Sequence, residues 1–77
     1  MERLITFHTQ AGAIRYEKIL KSNGYETCLK PVPRQLSSSC GICVETTHKV
    51  QKYDLFEDID KVYRICASGY ELEWENE

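Results

Sequence analysis

The chain has 77 residues, with ten Lys+Arg against twelve Asp+Glu and a formal net charge of −2. Its 42% apolar and 29% charged residues describe an ordinary globular domain rather than a disordered segment. No stretch approaches the ~20 apolar residues that cross a bilayer, and Met1-Glu2-Arg3-Leu4 lacks a signal peptide's apolar core; no membrane is expected as a partner, and the cytoplasm is the expected location.

Residues 1–77 read as one small domain. Arg3 to His8 holds Leu4, Ile5 and Phe7, an apolar run suited to a buried central strand. Thr9 offers a capping hydroxyl for a helix starting near Gln10. Ala13, Tyr16 and Leu20 share one face of that helix, Glu17 and Lys21 form an outward i,i+4 pair, and Asn23-Gly24 ends it. Tyr25 to Lys30 alternates, with Tyr25, Thr27 and Leu29 inward. Pro31-Val32-Pro33-Arg34 interrupts this strand, and a polar loop runs from Gln35 to Ser39.

Gly41 to Thr46 alternates again, with Ile42 and Val44 inward and Cys43 and Glu45 outward. A second helix is expected between His48 and about Asp58, burying Tyr53, Phe56 and Ile59. Lys61 to Ala67 is rich in strand formers, Ser68-Gly69 turns the chain, and Tyr70, Leu72 and Trp74 alternate in a pattern that allows a short last strand. The order βαββαβ predicts an α+β, ferredoxin-like sandwich, a four-stranded antiparallel sheet with two helices on one face. Its other face would present Glu26, Lys30, Glu45 and Arg64 to solvent or to a second copy in a homodimer. A symmetric β2–β3 connection would set Leu29 opposite Ile42 and Cys28 opposite Cys43.

Charge is unevenly spread. Residues 1–53 hold eight basic and four acidic side chains, and residues 54–77 hold two basic and eight acidic. A nucleic-acid binder carries a larger basic surplus with interleaved aromatics, so nucleic acid is not expected. The acidic end, Glu71 to Glu77, reads as solvated.

Chemistry concentrates on cysteine. Of Cys28, Cys40, Cys43 and Cys66, Cys40 sits in a polar loop beside Gly41, whose lack of a side chain leaves backbone amides approachable. Hydroxyls of Ser38 and Ser39, these amides and the Arg34 guanidinium would favour the nucleophilic thiolate. Cys40 and Cys43 form a C-x-x-C pair. Positions three apart in a regular strand face opposite sides, so a redox pair requires Cys40 to lie in a turn. Arg34 has two readings, a partner of the anion or a stem packed on the sheet edge. Cys28 and Cys66 read as small packing residues within strands.

The string Pro31-Val32-Pro33-Arg34, with Leu36-Ser37 and then Ser39-Cys40-Gly41-Ile42, resembles the selenium/sulfur carrier protein-like family. Phe7-His8-Thr9, Ala13, Glu17-Lys18, Leu20-Lys21 and Gly24 extend the resemblance over nearly the whole chain. It implies a carrier rather than a stand-alone enzyme. Cys40 would take sulfur or selenium as a persulfide or selenopersulfide from a cysteine desulfurase-type donor and pass it to an acceptor enzyme, without a cofactor. Arg34 and Ser39 match motif positions. Cys43 departs from the pattern, which has a small or apolar residue after the C-G. Were Cys43 to reach Cys40, it could attack the inner sulfur and expel the cargo.

Two other readings stand beside this one. Four thiolates are the number a structural zinc site requires, and a C-x-x-C also suits copper, although a second C-x-x-C is absent. A regulatory or interaction domain would instead use the sheet face and leave Cys40 unreactive.

Overall fold

The run Leu4-Ile5-Thr6-Phe7 forms the middle of a sheet, buried on both faces. The computed structural model describes residues 1–36, 38, 40–49 and 58–76. Their elements are β1 (Arg3–Phe7), α1 (Gln10–Ser22), β2 (Thr27–Pro31), β3 (Ile42–Thr46), β4 (Ile59–Cys66) and β5 (Gly69–Glu75). The five strands lie in the order β2-β3-β1-β4-β5, and every neighbouring pair is antiparallel. No helix among the described residues is long and apolar enough to cross a membrane.

This corrects the four-stranded, two-helix ferredoxin-like expectation. The described residues hold one helix and five strands. The second helix expected from His48 to about Asp58 falls mostly on residues 50–57, outside the described residues. The alternation of Tyr70, Leu72 and Trp74 runs on into β5, which pairs with β4 from Cys66↔Gly69 to Lys61↔Glu75. The connection is only Ala67-Ser68, so little loop entropy opposes the pairing. The acidic end is strand rather than tail, and the glutamates of β5 stay exposed, as expected, while pairing with basic side chains. Glu71 meets Arg64 at 2.8 Å, Glu73 meets Arg3 at 2.9 Å, and Glu75 meets Lys61 at 3.8 Å.

Helix α1 forms where the sequence predicts it. Thr9 is its N-cap, and its hydroxyl accepts from the Gly12 amide at 3.0 Å. Asp58 completes the cap, with Oδ2 accepting from the Thr9 amide at 3.1 Å and the Thr9 hydroxyl at 2.8 Å. Gly12 makes room for this carboxylate, because a Cβ there would collide with the Asp58 side chain. Ala13, Tyr16 and Leu20 pack with Ile5, Phe7, Val44, Ile59 and Val62 in the helix-side core. Fully burying each large apolar side chain contributes about 1.5–3 kcal/mol. Glu17, expected to face outward, is buried. It bonds Lys21 at 2.9 Å and the Thr27 hydroxyl at 2.7 Å, which pins α1 to β2.

The face away from α1 is not open. Leu4, Cys43 and Tyr63 form a second buried cluster under Val32, Leu36, Ile65 and Tyr70. Cys43, expected outward, is therefore fully buried. Lys30 and Glu45, expected on an open face, are only partly exposed and bond each other at 2.8 Å, whereas Glu26 and Arg64 are exposed. Leu29, expected inward, is 38% exposed on β2, the edge strand among the described residues.

The β2–β3 register also differs by two residues from the symmetric expectation. Cys28 lies opposite Glu45, Lys30 opposite Cys43 and Pro31 opposite Ile42. The ladder runs through the proline because β2 is an edge. The Val32 amide donates to the Gly41 carbonyl at 3.1 Å, so Pro31 falls at a non-bonded position whose missing N–H costs nothing.

Candidate functional site

Cys40 stands at the end of the sheet where β1 finishes, α1 begins and β3 starts. Gly41 makes the bend into β3 with φ +78, a conformation in which any side chain is strained. Three groups fix Cys40. The Gln10 side-chain amide donates to its carbonyl at 3.1 Å, its own amide donates to Ser38 Oγ at 3.4 Å, and its thiol donates to the Ile42 carbonyl at 3.2 Å. Its half-buried side chain packs against the helix-side core.

Ser38 brings a hydroxyl to the sulfur. Its hydroxyl lies 3.6 Å from Cys40 Sγ and donates to the Phe7 carbonyl at 3.3 Å. A hydroxyl has one hydrogen, so Ser38 serves either the carbonyl or the sulfur. Turning that hydrogen from Phe7 to Sγ would give a sulfur anion a donor without moving the backbone.

The other expected site residues lie as follows. Gly41 adjoins Cys40, as its sequence position requires. Ser39 lies outside the described residues. Arg34 is exposed in the turn closed by the Leu36 amide and the Pro33 carbonyl at 3.0 Å. Cys43 is not brought to Cys40. It belongs to the cluster beneath Val32 and Leu36, on the opposite side of the sheet from the core that Cys40 touches. Burial first, then the nearby Glu45 carboxylate, pushes the Cys43 thiol from 9.0 up to about 11, and the thiol donates to the Pro31 carbonyl at 3.8 Å.

All four thiols are free. Cys28 is exposed on the edge strand β2. At the β4–β5 hairpin the Cys66 thiol donates to Glu71 at 3.2 Å, and that carboxylate raises its pKa. With β2 and β5 at opposite edges, the four sulfurs do not converge. Among the described residues no three His, Cys, Asp or Glu side chains form a metal cluster. A cavity of about 240 Å³, lined by Tyr16, Ile19, Leu20, Asn23, Tyr25 and His48, lies at the far end of α1 from Cys40 and contains no thiol.

Sequence reasoning missed Gln10. Nothing local links positions 10 and 40; the antiparallel β1–β3 pairing brings the start of α1 and the start of β3 to the same end of the sheet. The signal that could have found it is a polar residue at the first helical position, directly after the capping Thr9.

A curated relative, "Uncharacterized protein YtiA" of Escherichia coli (strain K12), is 27% identical over 73 residues. That match covers 95% of this chain and 65% of the relative, so the chain spans about two thirds of the relative's length. No solved structure matches the chain. The family model described as "Putative Se/S carrier protein-like" matches residues 2–75, and the chain belongs to that family.

Proposed function

We propose that the chain carries one sulfur or selenium atom on Cys40. The observation that supports this most is the setting of that thiol: it is half-buried at the end of the sheet, held by Gln10, and within 3.6 Å of a hydroxyl that can turn toward it. Family membership points to the same cargo.

In the loading step, the Cys40 thiolate attacks the terminal atom of a donor's persulfide. The new Sγ–S or Sγ–Se bond forms, the donor's S–S or S–Se bond breaks, and the donor leaves as a thiolate. A cysteine desulfurase-type enzyme is the proposed donor and a second enzyme the acceptor. Ser38 and Ser39 supply hydroxyls to the charged cargo, and Arg34, exposed in the same loop, attracts the anionic persulfide. Four free thiols fit the reducing cytoplasm.

Incubating the chain with a persulfidated donor and weighing it intact tests this reading. One added sulfur or selenium atom per chain, lost in Cys40→Ser, is expected. An adduct of equal size in Cys40→Ser would contradict it.

A further inference from the structure

Exchange at divalent sulfur is directional: the nucleophile, the attacked atom and the leaving atom line up, so access to the rear of each sulfur decides which one reacts. On loaded Cys40 the two candidates are Sγ and the terminal atom. Sγ is hemmed in by the Ile42 carbonyl at 3.2 Å, by Ser38 Oγ at 3.6 Å and by the helix-side core. The added atom must then extend toward the side the protein leaves open, which is solvent. With the atom on that side, the line behind Sγ would run toward the Ile42 carbonyl, Ser38 and the core.

We propose, building on the carrier reading, that cargo leaves Cys40 only by attack on the terminal atom, because the Ile42 carbonyl, Ser38 and the core block the rear of Sγ. In this step an acceptor thiolate forms a bond to the terminal sulfur, the Sγ–S bond breaks, and the electron pair returns to Cys40 as a thiolate. The acceptor becomes the persulfide, and no oxidant or reductant is consumed. Attack on Sγ would instead give a mixed disulfide on Cys40 and release hydrosulfide. Cys43 cannot supply that second route internally, since it is fully buried in the cluster on the other side of the sheet. The reaction that consumes the loaded carrier is therefore a transfer to a nucleophile that keeps the sulfur, not a release of free sulfide or selenide.

The test uses the full chain carrying Cys28→Ser and Cys66→Ser, loaded with inorganic polysulfide, desalted and mixed with 2-mercaptoethanol. The thiol is added at one equivalent and the products are alkylated as they form, so that intact mass and the ratio of trapped 2-mercaptoethanol persulfide to trapped sulfide report the split between the two routes. Folded protein should return to the free thiol with the sulfur trapped as 2-mercaptoethanol persulfide, and mixed disulfide with its directly released sulfide should be at most about a tenth of the product. The same loaded chain in denaturant should give several-fold more mixed disulfide. An equal split in folded and denatured chain, or mostly mixed disulfide from the folded one, overturns this inference and leaves the carrier reading standing. Absence of any sulfur adduct on Cys40 overturns both.

Discussion

Cys40 and Cys43, three residues apart in sequence, lie against opposite faces of the sheet, one touching the helix-side core and the other beneath Val32 and Leu36. A C-x-x-C spacing that would suggest a redox pair is here divided across the sheet, although Cys40 precedes β3 and lies at the Gly41 bend.

The first consequence concerns thiol reactivity. Cys43 should resist alkylation at neutral pH until the chain unfolds, while Cys40 and Cys28 react in the folded state. Because folding raises the Cys43 pKa from 9.0 to about 11, its contribution to stability is complete below pH 9 and is lost as pH rises through 11. Cys43→Ala should flatten that alkaline decline and cost about 1–2 kcal/mol through the lost packing, as read by denaturant melts.

Gly12→Ala should destabilise, although alanine normally gains about 1 kcal/mol over glycine in a helix. The new methyl displaces Asp58 and breaks its two bonds to Thr9, for an expected net loss of about 1–3 kcal/mol. Combining Gly12→Ala with Asp58→Ala should recover part of that loss. Additive losses in the double mutant would show that the collision is not the cause.

Glu17 links α1 to β2 through charge. Lys21 first, then the Thr27 hydroxyl, hold its carboxyl below the ordinary 4.5. A lowered folded-state pKa gives stability that is present above about pH 4.5 and disappears as pH falls through the folded value. Glu17→Gln should lower stability by roughly 1 kcal/mol at pH 7 and by much less at pH 3, measured by thermal melts across that range.

Ser38→Ala should slow loading of Cys40 by roughly tenfold, the size of one hydrogen bond to a charged sulfur. Gln10→Ala should lower stability by about 1 kcal/mol, since it removes one bond to the Cys40 carbonyl. Stopped-flow alkylation and melts separate the two effects. An unchanged loading rate in Ser38→Ala would remove its hydroxyl from the chemistry.

Much of the fold lay in local patterns. The apolar run of β1, the Thr9 cap and the spacing of Ala13, Tyr16 and Leu20 are set by neighbours a few residues away, and so they were readable. What escaped depends on distant partners. The ion pairs of the β5 glutamates were not legible, because Arg3, Arg64 and Lys61 meet these exposed side chains only once the sheet is assembled. Cys43 looked exposed because alternation cannot show that Val32 and Leu36 fold over the second face. The register of Cys28 was misplaced because Pro31 looked like the end of a strand, whereas at an edge it is tolerated. At the site, the loop with Cys40 and Gly41 was legible, and Gln10 was not, because its link to Cys40 spans thirty residues.

The most direct measurement is peptide mapping of the chain after reaction with a sulfur or selenium donor, with all four cysteines assigned in one digest. The carrier account predicts the added atom on the peptide containing Cys40, and a Cys43 that stays unmodified while the chain is folded. An added atom found mainly on Cys28 or Cys66, or on none of the four, would contradict it.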